Sequence, residues 1–181
     1  MSHAGVPALR VAVLVTVIGL SSVVQVYAQT EKGALEVGIE AGPLFFIATG
    51  GHETVGGFLL SVEPHVGYFV NDELVVGVTG FFYRSVDSDP SQPAISFGGV
   101  YTHVNYHFNS GSTFSPYIGG RIGVFTPNSD TQFAAGAQGG LQYFVTRRLS
   151  VNGQLEISMS SGSGGNAFLS CVGLGVSCHI K

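Results

Sequence analysis

Side chains alternate between two faces along most of this chain, and this period of two restricts its fold more than any other feature. From Phe58 to Val70 the even positions are large and apolar or proline, whereas the odd positions are mostly small or polar. Successive side chains of a β-strand point to opposite faces of the sheet, so the pattern predicts strands with two different faces. The same alternation recurs along the chain and predicts about eight strands, at residues 35–41, 58–70, 74–82, 100–108, 117–124, 135–143, 149–159 and 172–180.

The N-terminal segment has a different pattern. Arg10 is followed by an apolar run at residues 11–20, and small or apolar residues lead to Ala28. A basic residue, a short apolar run and a small residue before the cleavage point are typical of a secretory signal peptide, and the run is shorter than the roughly 20 residues of a spanning helix. We therefore expect residues 1–28 to be a signal peptide and residues 29–181 to form one barrel domain.

The distribution of polar residues separates a membrane barrel from a soluble one. The chain is 45% hydrophobic and only 10% charged, and its net charge of −4 gives no support to nucleic-acid binding. A soluble barrel buries its apolar face, but here the opposite face carries most of the carboxylates and histidines of the strands, which need partners or water. The pattern favours an all-β, eight-stranded antiparallel up-and-down transmembrane β-barrel with a polar lumen. A soluble β-sandwich or ligand-binding barrel is the alternative, because some strands are apolar on both faces.

The connections between the strands alternate in length. Those at 71–72, 109–113 and 146–147 are short, whereas those at 48–56, 85–94, 126–130 and 160–166 tend to be longer and rich in Gly, Ser, Asp and Pro. Short periplasmic turns and longer surface loops alternate in this way in transmembrane barrels. Aromatic residues beside the short turns predict an aromatic girdle there: Tyr68, Phe69, Tyr106, Phe108, Tyr143 and Phe144.

Two stretches of the chain resemble a known group of proteins. Residues 64–77 (PHVGYFVNDELVVG) and 115–123 (SPYIGGRIG) are similar to stretches of small outer-membrane β-barrel proteins related to the transmembrane domain of OmpA and to OmpX. The resemblance implies a barrel in the outer membrane of a Gram-negative-type bacterium, with both termini in the periplasm. It also implies contact with outer-membrane lipids and lipopolysaccharide, and insertion by the outer-membrane assembly machinery. Such barrels usually end in an aromatic residue, whereas this chain ends in His179, Ile180 and Lys181.

The charged and histidine side chains on the predicted inner face form the candidate site. A lone arginine among carboxylates in a narrow lumen is expected to pair with at least one of them, because an unpaired buried charge is costly. This network is either a static plug, which suits a lumen just wide enough for side chains, or a gate that opens when the arginine changes partners. Its predicted members are Arg121, Glu36, Glu40, Glu63, Glu156, His65, His103 and His107.

Neither a metal site nor a catalytic site is predicted. His103 and His107 share a strand face but are about 13 Å apart, too far for one metal ion. Serines cluster near one rim, yet the nearest rim histidine in sequence, His52, lies in a different loop, so no nucleophile and base are expected within hydrogen-bond reach. Cys171 and Cys178 are an odd number of residues apart and are expected to be free thiols on opposite faces.

We therefore expect a non-enzymatic, cofactor-free outer-membrane protein with a role in envelope integrity or surface interaction. A narrow porin-like channel gated by the network around Arg121 is the alternative, and a lipid-A-modifying enzyme is a less favoured one. The sequence leaves the oligomeric state open.

Overall fold

The structure of the protein is a computed structural model that describes residues 31–50, 53–85, 96–126, 131–162 and 165–181. The predicted signal peptide lies outside these ranges, as do His52 and much of the predicted surface connections. Within the described ranges no helix is long and apolar enough to cross a membrane.

Eight antiparallel strands form one closed barrel. Each strand pairs with the next in the chain, and β1 pairs with β8, so the sheet has no free edge. The strands have 12 to 17 residues, somewhat more than the roughly 9–11 that a tilted strand needs to cross a bilayer. This confirms the predicted fold class. The strands are β1 Leu35–Gly50, β2 Glu53–Phe69, β3 Leu74–Ser85, β4 Ser96–His107, β5 Phe114–Thr126, β6 Gln132–Phe144, β7 Leu149–Gly162 and β8 Gly165–Ile180.

The barrel has two different ends. The turn end carries the connections 70–73, 108–113 and 145–148, together with the start of β1 and the end of β8. Side-chain oxygens accept hydrogen bonds from the backbone in two of these turns. Asn71 Oδ1 accepts from the amides of Glu73 (2.9 Å) and Leu74 (2.7 Å), and Thr146 Oγ1 accepts from the Leu149 amide (3.0 Å) in the turn 145–148. Asparagine and threonine commonly fix turns through such local bonds.

The opposite end, here called the loop end, carries the connections 51–52, 86–95, 127–131 and 163–164. Two of them are shorter than the sequence suggests. The β1–β2 ladder continues to Gly50 opposite Glu53, and the β7–β8 ladder continues to Gly162 opposite Gly165. Pairing satisfies the backbone donors and acceptors of these small residues, which an unpaired loop would leave to solvent.

The two faces of the sheet differ as the alternation predicts. Outward positions carry exposed aliphatic side chains, and inward positions carry most of the buried polar and charged ones. Tyr68, Tyr106 and Phe108 are exposed on the outer face near the turn end, as a girdle requires. Phe69 and Phe144 were predicted to join them, but both are fully buried. They occupy inward positions of the pleat and pack in the lumen against His179.

The lumen has two halves of different chemistry. The half nearer the turn end is mostly polar, apart from a small apolar cluster of Ala34, Phe69 and Val75, whereas the sequence predicts a polar lumen along its whole length. The half nearer the loop end is filled by a cluster here called the aromatic plug: Leu44, Leu59, Phe81, Tyr83, Tyr101, Phe125, Ala134, Leu169 and Cys171. An eight-stranded barrel has room inside only for side chains, so apolar residues there pack as in any protein core.

Candidate functional site in the lumen

Arg121 lies inside the barrel in the middle of β5. Its backbone pairs with His103 of β4 and Gly136 of β6, and only 3% of the residue is exposed. Its two neighbours on the inner face of β5, Gly119 and Gly123, have no side chains to compete for the lumen. The long arginine side chain therefore has space to cross the barrel.

Arg121 connects β5 to β2 and β7, neither of which is a neighbour of β5 in the sheet. Its Nη1 lies 3.3 Å from Glu63 Oε2 on β2, and its Nη2 contacts Glu156 on β7. The guanidinium carbon also lies 3.8 Å from the centroid of the Tyr101 ring, a cation–π contact. Together these contacts form a buried bridge across the lumen, here called the Arg121 bridge (Arg121, Glu63 and Glu156).

A small cavity lies beside the Arg121 bridge on its polar side. Its volume is about 20 Å³, which is room for about one water molecule. Glu40 faces it from β1 and is 6% exposed, and its carboxylate forms no hydrogen bond with another side chain in the described part of the chain. Thr79 Oγ1 and His103 Nδ1 are 3.0 Å apart at its wall. The cavity is lined by Glu40, Glu63, His65, Thr79, His103, Arg121, Gln138 and Gln154.

A second polar cluster lies between this cavity and the turn end. Glu36 Oε1 accepts from Gln142 Nε2 at 2.7 Å and lies 3.9 Å from both His65 Nε2 and His179 Nε2. Gln142 also reaches Ser150 Oγ at 3.1 Å. The structure thus places Glu36 and His65 together; His65 also lines the cavity beside the Arg121 bridge, but neither residue forms an ion pair with the bridge in the described part of the chain.

The remaining predicted histidine lies apart from both groups. The His107 ring stacks on Tyr117 with centroids 5.2 Å apart, and its Nδ1 lies 3.2 Å from Ser115 Oγ. Residues that the sequence prediction missed complete the polar lumen. They share inward positions on β6, β7 and β8, and this parity is the signal that could have found them: Gln138, Gln142, Ser150, Asn152, Ser177 and His179.

The contacts around Ser150 are not those of a catalytic triad. Ser150 Oγ lies 3.3 Å from His179 Nε2, and Glu36 lies 3.9 Å from the same nitrogen. A triad needs the acid on the other ring nitrogen, and the serine must be accessible, whereas Ser150 is fully buried. In the described residues there is also no group of three or more histidine, cysteine or acidic side chains that could hold a metal ion.

The aromatic plug closes the lumen between the Arg121 bridge and the loop end. The Phe81 ring stacks on Tyr101 with centroids 4.6 Å apart and lies 4.9 Å from Tyr83. Phe97 extends the stack, 5.1 Å from Tyr83 and 5.6 Å from Phe125. The lumen is therefore filled by an ion-paired bridge and, on the side of the loop end, by packed rings, with the Tyr101 ring in contact with both.

Comparison with known proteins supports the fold. No family model and no curated protein matches the sequence of the chain. In structure it is similar to Neisserial surface protein A, with a TM-score of 0.65 and 18% identity over 81% of this chain and 99% of that one. It is also similar to the N-terminal β-barrel domain of OprF from Pseudomonas aeruginosa, with a TM-score of 0.55 and 18% identity over 82% and 98% of the two chains.

A further similar structure is the outer membrane protein OprG from Pseudomonas aeruginosa, with a TM-score of 0.50 and 12% identity over 82% of this chain and 98% of that one. At these identities the likeness concerns the fold alone. The chain has the fold of small outer-membrane β-barrels, and this confirms the resemblance in the sequence at that level.

Proposed function

We propose that this protein is a non-enzymatic barrel of the bacterial outer membrane whose filled lumen makes it a structural component of the envelope rather than a channel. The observation that carries the proposal is the double closure of the lumen, by the Arg121 bridge and by the aromatic plug. A gate at Arg121 requires that the movement of this one side chain opens a path through the lumen. Moving Arg121 alone leaves the stacked rings of Phe81 and Tyr101 in place.

The proposal includes an orientation. The short turns, the start of β1 and the end of β8 all lie at the turn end. In small transmembrane barrels, short turns are typical of the periplasmic side. We therefore assign the turn end to the periplasm and the loop end to the cell surface. A role in surface interaction would then fall to the longest connection, residues 86–95, which lies outside the described residues.

Conductance of the purified protein in planar bilayers tests the closed lumen against the gated channel. We expect neither the wild type nor Arg121→Ala to conduct, because the aromatic plug remains. The channel alternative requires current steps from Arg121→Ala. As a positive control, Arg121→Ala combined with Phe81→Ala and Tyr101→Ala removes the arginine of the bridge and the stacked pair of rings in the plug, and this variant should conduct. A shift in gel mobility on heating confirms that each variant is folded.

The enzyme alternative has a separate test. A lipid-A-modifying enzyme would change the mass of lipid A in cells that express it. We expect identical lipid A mass spectra with and without expression of the protein. In none of the described serine–histidine contacts, at Ser150, Ser177 and Ser115, does a carboxylate lie on the other ring nitrogen, as a triad requires. A new lipid A species that disappears in Ser150→Ala would overturn the proposal.

A further inference from the structure

The rim at the turn end carries charged side chains of both signs. Acidic residues lie on the side of β1 to β3, and each has a partner. Glu31 pairs with Lys181, Asp72 Oδ1 accepts from the Lys32 amide at 2.8 Å, and Glu73 Oε2 accepts from the Tyr106 hydroxyl at 2.7 Å. Arg147 and Arg148 lie on another part of the rim, in the turn between β6 and β7.

Arg147 and Arg148 are two adjacent basic residues without an ion pair among the described residues. The exposed Lys32 ammonium has none there either, but it is next to Glu31 in the chain, and the Lys32 amide donates to Asp72. The two arginines are consecutive in the turn between β6 and β7, and both are exposed. Within the described part of the chain neither guanidinium forms an ion pair. Two adjacent unpaired positive charges attract an anion from outside the protein.

The turn holds these arginines in a defined place. Thr146 Oγ1 accepts from the amides of Arg148 (3.2 Å) and Leu149 (3.0 Å), and the Val145 amide donates to the Leu149 carbonyl at 2.9 Å. The Arg148 carbonyl accepts from the His179 amide of β8 at 2.7 Å. An anion that binds here meets a backbone that is already ordered, which reduces the entropy lost on binding.

The position of the turn relative to the apolar outer face indicates the kind of anion. Val145 and Leu149 flank the arginines and are 48% and 42% exposed on that face. Nearby, the outward Phe114 and Tyr143 rings lie with centroids 4.9 Å apart, and aromatic side chains of this kind lie at the level of lipid headgroups. The arginines are therefore placed where the apolar surface ends and the headgroups begin.

We propose that the β6–β7 turn binds the phosphate of an anionic phospholipid in the leaflet that the turn end meets. Guanidinium groups match phosphate oxygens with two parallel hydrogen bonds, and the acyl chains would lie along Val145 and Leu149. The inference rests on the proposed position in the membrane, which makes this leaflet the periplasmic one. It does not depend on whether the lumen conducts.

Native mass spectrometry of the full chain, released from micelles that contain phosphatidylglycerol or phosphatidylcholine, tests the site. We expect the wild type to retain phosphatidylglycerol preferentially. Arg147→Gln combined with Arg148→Gln should bind it about 30-fold more weakly, which corresponds to about 2 kcal/mol, or about 1 kcal/mol for each basic side chain. Lys181→Gln is the matched control, because it removes an exposed charge from the same rim that already has a carboxylate partner, and it should bind like the wild type.

Two outcomes would overturn the inference. One is equal retention of phosphatidylglycerol by the wild type and the double arginine variant. The other is displacement of the lipid by millimolar inorganic phosphate, which would mean that a free anion and not a lipid is recognised. Failure of the proposed function would appear differently, as current steps from a protein that still retains the lipid.

Discussion

Arg121 on β5 lies 3.3 Å from Glu63 on β2, between Nη1 and Oε2, although two strands separate β5 from β2 along the barrel wall. Its second contact, with Glu156, is on β7. These two ion pairs therefore connect strands across the lumen rather than between neighbours in the sheet. Since all three side chains are almost fully buried, the two carboxylates depend on this one guanidinium for compensation.

Replacing Arg121 should strongly destabilise the barrel. Arg121→Met keeps most of the side-chain volume but leaves Glu63 and Glu156 as buried charges without their partner, and breaking a buried ion pair in this way costs about 3–5 kcal/mol. Urea-induced unfolding in lipid vesicles measures this loss. Glu31→Gln, which removes an exposed ion pair with Lys181, is the control and should cost no more than about 1 kcal/mol.

Removing the carboxylates together with the arginine should restore most of that loss. In Arg121→Met combined with Glu63→Gln and Glu156→Gln no buried charge of the bridge remains, and replacing a whole buried ion pair is often close to neutral. The same urea titration should place this triple variant nearer to the wild type than to Arg121→Met. If the triple variant is as unstable as Arg121→Met, the loss of stability comes from altered packing and not from unpaired buried charges.

Two consecutive glycines on β5 provide a test of the lumen packing. A Cβ at Gly119 would collide with the Asn105 side chain and the Val104 carbonyl, whereas the atom nearest a Cβ at Gly120 is the Gly136 carbonyl oxygen, 3.9 Å away. Gly119→Ala should therefore destabilise the barrel by about 1–3 kcal/mol through overpacking, and Gly120→Ala should be tolerated. Equal effects in vesicle unfolding would contradict the assignment of Gly119 to the lumen.

The two cysteines should differ in reactivity. Cys171 is buried in the aromatic plug with its Sγ 3.1 Å from Ser61 Oγ, whereas Cys178 is exposed on the outer face of the same strand. In detergent, a maleimide should label Cys178 and leave Cys171 unreacted until the barrel unfolds. Mass analysis of the labelled peptides distinguishes the two sites. Labelling of Cys171 in the folded protein would mean that the plug opens readily.

The strands and their faces are readable from the sequence because each inward or outward position depends only on parity along one strand. Thus Glu63 and Arg121 are both placed inside by counting from their neighbours. Which side chains meet across the lumen depends on the register between strands, and for Glu36 the chain gives no local sign that Gln142 is its closest hydrogen-bond partner. The aromatic plug was missed for another reason: β3 is apolar on both faces, so Phe81 gives no parity signal.

The account depends most on the aliphatic face meeting lipid, and single-tryptophan quenching tests this directly because the chain has no tryptophan of its own. Val124 and Phe125 are neighbours at the same depth on opposite faces, 49% and 4% exposed. In vesicles with brominated acyl chains, we predict strong quenching of the emission of Val124→Trp and little quenching of Phe125→Trp. Equal quenching of the two, or stronger quenching of Phe125→Trp, would contradict a barrel that spans the membrane with its aliphatic face outward.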